Sequence, residues 1–337
     1  MGLRYPPVGD LVVSGRRFWG GRSVLVTGSA GLLGGWVCRK LADAGARVSG
    51  LDIDWSRGTV LEAGGPVKRI DGDVRDHDAM DRALREEAID TVLHLAAQAI
   101  VGPANRDPVA TFEHNILGTW VTLDACRRRP EMAAVVVASS DKAYGDQHGT
   151  PYEEGMALLG RHPYASSKVC ADVLAQTYAA SFGLPVAITR CGNMYGGGDT
   201  EWSRIIPGTI RSVLQHERPV IRSDGHFVRD YLFVEDAADG VMALAEAVAT
   251  RQELVGEAFN FSADARLSVL EIVARVLRLM QSNLEPVVRN EAVNEIPEQR
   301  VRARKAHEVL GWSPATSLDE GLARTVDWYR NYLVGVG

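Results

Sequence analysis

The sequence predicts an α/β fold, in which a doubly wound parallel sheet is followed by a smaller C-terminal α/β lobe. Short β-branched runs alternate with stretches of helical spacing, and a glycine-rich turn follows the first run. The alternation stops near Cys191, where glycines and prolines become frequent. We therefore expect one regular sheet in the first part of the chain and a second lobe after it.

Six short apolar runs, rich in β-branched residues, are the first predicted strands. They cover residues 23–27, 47–51, 67–70, 91–95, 134–139 and 186–190. Residues 75–88 are expected to form a helix between the third and fourth strands. Further helices are expected at residues 234–250 and 268–281, and a further strand at residues 258–261.

Composition excludes several classes of protein. Hydrophobic residues make up 46% and charged residues 24% of the chain, as in a folded globular protein. The net charge of −6 gives no broad basic field, so we expect no nucleic-acid partner and no membrane partner. No long apolar window and no signal-peptide pattern is present, which predicts a cytoplasmic protein. The cysteines and histidines show no ligand spacing, so no metal site is expected.

The turn after the first strand carries Gly28, Gly31 and Gly34 and opens a helix. Small residues let the backbone approach a pyrophosphate, whose charge meets the free N–H groups and the positive dipole end of that helix. Asp52 ends the second strand 18 residues after Gly34. That spacing is close to the roughly 20 residues expected for an acid that binds a ribose, so the chain is predicted to bind a dinucleotide.

The acid at the end of the second strand also predicts which dinucleotide is bound. A carboxylate at Asp52 would accept a hydrogen bond from the ribose 2′-hydroxyl and repel a 2′-phosphate, which favours NAD over NADP. Arg57 argues against this preference, and Asp54 is the alternative ribose partner. Either aspartate can instead be an ordinary turn residue. Asp73, after the third strand, is either a contact to the adenine edge or part of an Asp-Gly turn.

This assignment divides the chain into two parts. Residues 1–190 are expected to form the NAD-binding Rossmann domain, with roughly residues 232–262 returning to it. Residues 191–231 and 263–337 are expected to form the substrate-binding lobe.

Tyr164 and Lys168 form a Y-x-x-x-K motif, whose spacing places the phenol and the ammonium on one face of a helix. Ser140 follows the strand at 134–139, at the carboxyl edge of the sheet where ligands of such sheets bind. Hydride removal from a carbinol requires loss of the hydroxyl proton, and free tyrosine has a pKa of about 10. Lys168 and an oxidised nicotinamide are expected to lower that pKa, while Ser140 fixes the same oxygen.

Several further motifs accompany these residues. They are VTGSAGLLG, LD at the second strand, DGDVRD, HLAAQ, the asparagine of EHNILGT, SSDKAYG, YASSK, RCGNMYGGGD and RDYLFVED. With them, nearly the whole chain resembles the extended short-chain dehydrogenases/reductases of the NAD-dependent epimerase/dehydratase family, which act on nucleotide sugars. The resemblance implies an NAD cofactor and a nucleotide-sugar substrate. Besides the glycines, Asp52 and Asp73, it places NAD contacts at Leu32, Val74, Leu95, Ala96 and Gln98.

Some details resemble CDP-glucose 4,6-dehydratases within that family. These are FWGGRSVLVTG with Trp36 after the glycines, HLAAQ, the SDK triplet, and RCGNMYGGGD followed by RIIP. Residues 227–231, FVRDY, instead resemble the commoner epimerase and dehydratase form, which leaves the nucleotide base open. Candidate substrate contacts are Asn193 near the sugar or phosphate, and Arg204 and Arg229 against the pyrophosphate. For each arginine the alternative is a surface ion pair.

Asp141 and Lys142 directly follow Ser140 and separate two activities. The resemblance implies an acid and base pair here in 4,6-dehydratases, Asp with Lys in the CDP-glucose type, and usually no such pair in 4-epimerases. Elimination of water needs one group to take the C5 proton and another to protonate the leaving hydroxyl. Asp141 is the predicted acid, and Lys142 is either the base or a group that tunes Asp141. The alternative is an ion-paired surface turn.

The sequence thus predicts a nucleotide-hexose 4,6-dehydratase, with a nucleotide-sugar 4-epimerase as the alternative. A regulatory protein that merely binds the cofactor would be expected to lack part of the Ser140, Tyr164 and Lys168 triad, and all three are present. Family analogy implies a homodimer in which residues 112–129 and 164–182 pack as a four-helix bundle.

Overall fold

The computed structural model describes residues 15–56, 60–61, 64–291 and 295–335 of the chain. Arg57 lies outside these ranges. The strands within them are β1 Ser23–Thr27, β2 Arg47–Asp52, β3 Lys68–Asp71, β4 Thr91–His94, β5 Ala134–Ala138, β6 Val186–Cys191, β7 Asn193–Tyr195, β8 Val220–Ile221, β9 Val228–Arg229, β10 Tyr231–Phe233, β11 Ala258–Phe261, β12 Leu267–Ser268 and β13 Val287–Val288. The α-helices are α1 Gly15–Trp19, α2 Leu32–Asp43, α3 His77–Glu86, α4 Val101–Arg106, α5 Pro108–Phe112, α6 Gly118–Arg127, α7 Pro163–Phe182, α8 Ile205–Leu214, α9 Val234–Thr250, α10 Val269–Leu279, α11 Arg304–Leu310 and α12 Leu318–Gly335.

Seven strands form one sheet in the order β3-β2-β1-β4-β5-β6-β11, and every pair in it is parallel. The chain moves outward from β1 to β3, crosses back over the sheet, and continues from β4 on the other side of β1. This reversal leaves a crevice at the carboxyl ends of β1 and β4, where Thr27 lies opposite His94. The predicted doubly wound parallel sheet is confirmed.

Successive residues of the strands face two different layers of helices. Val24 and Val26 of β1 pack against Val37 and Leu41 of α2 and against α9. Leu25 faces the other way, into a core shared with α3, α6 and α7. Burial on both faces explains why the strands are continuous apolar runs in the sequence rather than alternating ones.

The C-terminal lobe has a separate core. Ile206 and Ile210 of α8, Val273 and Val276 of α10, and Tyr329 of α12 are buried against one another. Three short strand pairs complete this lobe: β10 with β7 and β13 with β8 are parallel, and β12 with β9 is antiparallel. β11, by contrast, joins the edge of the large sheet beside β6. The residue limits of the two predicted domains stay a prediction.

Two helices begin later than their patterns predict, and side-chain caps explain both. α3 begins at His77 because the Asp76 carboxylate accepts hydrogen bonds from two N–H groups of its first turn. α10 begins at Val269, after a capping box in which Ser268 and Glu271 exchange hydrogen bonds. Among the helices of the described ranges, none is long and apolar enough to cross a membrane.

Candidate active site

The glycine turn between β1 and α2 leaves no room for side chains. Gly28 has a φ of +71°, and a Cβ there would lie 2.7 Å from the Cα of Ala96. A Cβ on Gly34 would collide with the carbonyl oxygen of Gly28. α2 then begins at Leu32 without a side-chain cap from Gly31, so its first N–H groups face the crevice. A bare helix N-terminus behind a turn of this shape fits a pyrophosphate.

Asp52 lies beside this turn at the end of β2. Its carboxylate accepts hydrogen bonds from the Ala30 N–H at 2.9 Å and the Asp54 N–H at 3.1 Å. Asp54 instead accepts from the Ser56 N–H at 2.9 Å and so caps the turn that follows. The geometry therefore favours Asp52 over Asp54 as the acid that would meet a ribose.

The remaining cofactor candidates lie around the same crevice. The N–H groups of Leu95 and Ala96 each donate to Thr27 Oγ1 at 3.2 Å, which holds the end of β4 against β1. The Val74 side chain is buried in the core, so a contact of Val74 with NAD would have to come from its backbone. Asp73 forms an ion pair with Arg75 at 2.7 Å.

Gln98 is held by the asparagine of the EHNILGT motif, to which the sequence analysis assigned no role of its own. Asn115, on a π-helical turn at Glu113–Leu117, accepts from the Gln98 N–H at 2.7 Å. Its amide donates to Gln98 O at 3.0 Å and to Ser167 Oγ at 2.8 Å. Asn115 thus joins the loop after β4 to helix α7, which carries Tyr164.

Ser140, Tyr164 and Lys168 are brought together at the carboxyl ends of β5 and β6. Ser140 caps a 3₁₀ turn at Asp141–Tyr144, and it lines the same cavity as the phenol of Tyr164 at the start of α7. One turn further along α7, the Lys168 ammonium donates to the Ala138 carbonyl at 2.7 Å. All three side chains are buried.

Burial controls the titration of this triad. It raises the pKa of Tyr164 to about 12, although the hydrogen bond with Ser140 acts in the opposite direction. It also lowers the pKa of Lys168 to about 8. The Lys168 ammonium is hydrogen-bonded to Ala138 O in this structure, and the lowering of the Tyr164 pKa by Lys168 and an oxidised nicotinamide stays a prediction.

Asp141 and Lys142 lie beside the triad. Asp141 is 2% exposed, and its carboxylate accepts from Ser140 Oγ at 2.9 Å. Burial raises the pKa of Asp141 and lowers the pKa of Lys142, although the opposite charge of each partly offsets the change in the other. The alternative of an ion-paired surface turn is wrong for Asp141, since its carboxylate is inside the protein.

These groups line one cavity of about 550 Å³ between the sheet and the C-terminal lobe. Its walls include the candidate catalytic side chains and the three candidate substrate contacts: Ser140, Asp141, Lys142, Tyr164, Asn193, Arg204 and Arg229. A volume of this size suits a small organic ligand. Lys168 lies behind Tyr164 rather than in the cavity wall.

The three substrate candidates differ in how they are held. Arg204 pairs with Asp199 at 3.0 Å, and Arg229 pairs with Glu295 at 3.0 Å. Among the described residues, Nδ2 of Asn193 and the hydroxyl of Tyr231 are buried without a hydrogen-bond partner, and both residues line the cavity. Buried polar groups are normally paired, so these two atoms are suited to contact a polar ligand.

The sequence analysis missed Gln299 and Glu295. Gln299 is fully buried and hydrogen-bonds with both Asp141 and Lys142. Neither residue belongs to a local motif, and both lie more than 150 positions from Lys142 in the chain. No sequence signal available from a single chain marks them.

Comparison with known proteins gives consistent matches over most of the chain. The model of the NAD dependent epimerase/dehydratase family matches residues 24–261. A CDP-glucose 4,6-dehydratase from Salmonella typhimurium is 29% identical over 338 residues, covering 95% of this chain and 94% of that enzyme.

Solved structures of similar proteins include both an epimerase and a dehydratase. An epimerase from Methanothermobacter thermautotrophicus has a TM-score of 0.89 and 26% identity, covering 97% of each chain. A dTDP-glucose 4,6-dehydratase from Streptomyces venezuelae, with NAD bound, has a TM-score of 0.81 and 27% identity. That match covers 91% of this chain and 97% of the other. The predicted cofactor, NAD, is the cofactor of the family. The chain belongs to the NAD-dependent epimerase/dehydratase family of enzymes.

Proposed function

We propose that this enzyme is a nucleotide-hexose 4,6-dehydratase, which converts an NDP-hexose into an NDP-4-keto-6-deoxyhexose and water. The observation that supports this most is the pair Asp141 and Lys142, which follows Ser140 in the cavity that contains the Tyr164 phenol. A 4-epimerase, the second candidate, is favoured by the similarity to an epimerase structure. Epimerisation at C4 has no step that needs this pair.

The first step is oxidation at C4. NAD, when bound, would supply the hydride acceptor for C4 and the hydride donor for C6. Tyr164 takes the C4 hydroxyl proton, and Ser140 hydrogen-bonds with the same oxygen. Tyr164 takes this proton as a phenolate, and Lys168, one helical turn away, stabilises the phenolate charge before the transfer. The Gly28–Gly34 turn and Asp52 would hold the pyrophosphate and the adenosine ribose of NAD.

The second step is elimination of water. The C4 ketone makes the C5 hydrogen acidic, so neutral Lys142 takes the C5 proton. Protonated Asp141 donates its proton to the C6 hydroxyl, which leaves as water. The burial that raises the pKa of Asp141 and lowers the pKa of Lys142 favours these two uncharged forms. Lys142 then returns a proton to C5 as the hydride arrives at C6.

The substrate would occupy the rest of the cavity. We place its pyrophosphate between Arg204 and Arg229, since a guanidinium paired with one carboxylate keeps further N–H donors for phosphate oxygens. Asn193, with its unpaired amide nitrogen, would contact the sugar or the nearer phosphate.

A homodimer and a cytoplasmic location are part of the same proposal. Five large apolar side chains on α5, α6 and α7 are exposed, which suits a four-helix interface: Val109, Phe112, Trp120, Val173 and Phe182. Sedimentation of the purified protein measures whether two copies associate.

Substitution of the acid and base pair tests the proposed activity. Asp141→Asn and Lys142→Ala should leave C4 oxidation intact, because the triad is unchanged, so substrate should still reduce bound NAD and produce absorbance near 340 nm. The 4-keto-6-deoxy product should form at least about 100-fold more slowly. Asp146→Asn, an exposed aspartate after the same turn, is the control. Normal turnover by both variants would contradict the dehydratase.

A further inference from the structure

Gln299 joins the proposed acid to the proposed base. Its amide nitrogen donates to Asp141 Oδ2 at 3.1 Å, and its amide oxygen accepts from the Lys142 ammonium at 2.9 Å. The side chain is fully buried. Asp141 and Lys142 are adjacent in the chain, so one amide from the C-terminal lobe contacts two neighbouring side chains at once.

The backbone on either side of Gln299 is fixed. The Val228 N–H donates to Pro297 O at 2.9 Å, and the Gln299 N–H donates to Val228 O at 3.1 Å. One residue further on, Arg300 O accepts from the Tyr152 N–H at 2.7 Å. Because the chain is bonded on both sides, the freedom left to Gln299 is rotation of its side-chain amide.

We propose that Gln299 is a positioning residue that supports both protonation states of the Asp141 and Lys142 pair by rotating its amide between two fully hydrogen-bonded arrangements. This proposal rests on the proposed dehydratase activity. In the arrangement seen here, the amide nitrogen faces the Asp141 carboxyl group and the amide oxygen faces Lys142 Nζ, which suits a carboxylate and an ammonium. After a half-turn of the amide, its oxygen would face the O–H of a carboxylic acid and its N–H would face the lone pair of a neutral amine.

The two arrangements correspond to the pair before and after elimination. Before it, Asp141 is protonated and Lys142 is neutral. As the C5–H bond breaks, Lys142 gains that proton, and as the C6–O bond breaks, Asp141 loses its proton to the leaving hydroxyl. The pair is then a carboxylate and an ammonium, and every hydrogen bond to Gln299 is restored by the rotation. Lys142 becomes neutral again when it returns its proton to C5. Asp141 regains one proton, which balances the proton that Tyr164 took from the C4 hydroxyl.

Other charged and titratable groups face the same pair. Arg229 from β9 lowers the pKa of Lys142, and Glu295 from the segment before Gln299 raises it. Ser140 and Arg229 lower the pKa of Asp141. The negative charge of Asp141 raises the pKa values of four neighbours, Tyr152, Tyr164, Cys191 and Asp230. These groups lack the paired donor and acceptor of an amide, so Gln299 is the group suited to both states.

The first test replaces Gln299 with an apolar side chain of similar size, which removes the amide. Gln299→Leu should still reduce bound NAD when mixed with CDP-, UDP- or dTDP-glucose, whichever the unmutated enzyme dehydrates. Product formation should fall about 10- to 100-fold, the value expected for two lost hydrogen bonds to charged groups. Gln147→Leu is the matched control, because the Gln147 amide donates to two backbone carbonyls near the 3₁₀ turn and should leave the rate unchanged.

The second test uses pH to give a substituted side chain the same donor and acceptor pattern as the Gln299 amide. In Gln299→Glu, a protonated carboxyl has one donor and one acceptor, whereas an ionised one has acceptors alone. The activity of this variant relative to the unmutated enzyme should therefore rise about tenfold as the pH is lowered from 8 to 6. In Gln299→Leu the relative activity should stay flat. Parallel profiles for the two variants would contradict a positioning role for the amide.

The third test does not depend on turnover. The chain has five lysines, so the ε-carbon of Lys142 can be assigned in ¹³C-lysine-labelled protein by comparison with Lys142→Arg. Loss of the acceptor in Gln299→Leu should lower the pKa of Lys142 by about one pH unit. An unchanged titration overturns the Gln299 proposal even if the enzyme is a dehydratase. Failure of the unmutated enzyme to dehydrate any nucleotide hexose overturns the proposed function, while the lysine titration still decides the role of Gln299.

Discussion

The two sides of the cleft are built from different parts of the chain. On the cofactor side, the Gly28–Gly34 turn and the ends of β2 and β4 meet through backbone groups, as in the two N–H groups that Thr27 Oγ1 accepts. On the substrate side, charged and polar side chains come from distant segments, and Gln299 contacts Lys142 from 157 positions further along the chain. A site made of backbone depends on glycines at fixed spacing. A site made of side chains depends on tertiary contacts, so the two sides should respond differently to substitution.

Tyr164, where the two sides meet, should give the largest effect. Tyr164→Phe removes the proton acceptor of the first step and should lower kcat by about 10²- to 10⁴-fold, because a phenyl ring cannot take the C4 hydroxyl proton. Thermal melting should show a folded protein. Tyr178→Phe, on the same helix but away from the cavity, should keep normal kcat. A Tyr164→Phe enzyme with near-normal kcat would mean that the Y-x-x-x-K match is accidental.

Gly34 tests the backbone side. Gly34→Ala places a Cβ against the carbonyl of Gly28, and overpacking of this kind should destabilise the protein by about 3 kcal/mol and weaken NAD binding. Gly155→Ala is the control, since a Cβ there meets no atom within 4 Å and should change stability by at most about 0.5 kcal/mol. Melting curves and NAD titration measure both effects. Equal stability of the two variants would show that the turn tolerates side chains.

The smallest effect concerns cofactor choice. The unmutated enzyme should bind NAD(H) about tenfold more tightly than NADP(H), because the Asp52 carboxylate would repel a 2′-phosphate. Asp52→Ala should narrow this difference, and Asp54→Ala should not. Titration with both cofactors measures the preference. The assignment of Asp52 would be wrong if the unmutated enzyme bound NAD(H) and NADP(H) equally tightly. It would also be wrong if the difference in affinity narrowed in Asp54→Ala but not in Asp52→Ala.

The sheet and the glycine turn on the cofactor side could be predicted almost completely from the sequence, whereas the individual NAD contacts stay a prediction. The glycine spacing, the acid that ends β2 and the alternating apolar runs are local patterns, and the parallel sheet follows from them. Strand positions agree closely for the same reason: β1 covers Ser23–Thr27 as predicted, and β11 covers Ala258–Phe261 as predicted. Other strand ends differ by one residue, and helix ends differ by up to two residues, where a single cap such as Asp76 decides the boundary.

The substrate side could be predicted only in part. Asp141 and Lys142 were found because they adjoin Ser140, but their burial and its effect on both pKa values follow from packing against the C-terminal lobe. Gln299 and Glu295 had no local pattern at all, since a glutamine or glutamate in a polar segment resembles any surface residue. The partner of Arg229, Glu295, lies 66 positions away and is likewise set by a tertiary contact, whereas Arg204 pairs with Asp199, five positions away.

Product analysis in D₂O tests the central claim most directly. The unmutated enzyme is incubated with CDP-, GDP-, UDP- and dTDP-hexoses, and each product is examined by NMR. A 4,6-dehydratase should give a 4-keto-6-deoxy sugar from at least one of these substrates. The product should carry deuterium at C5, because the proton that returns to C5 comes from a group that exchanges with solvent. A C4 epimer without solvent deuterium would contradict the dehydratase and establish the epimerase in its place.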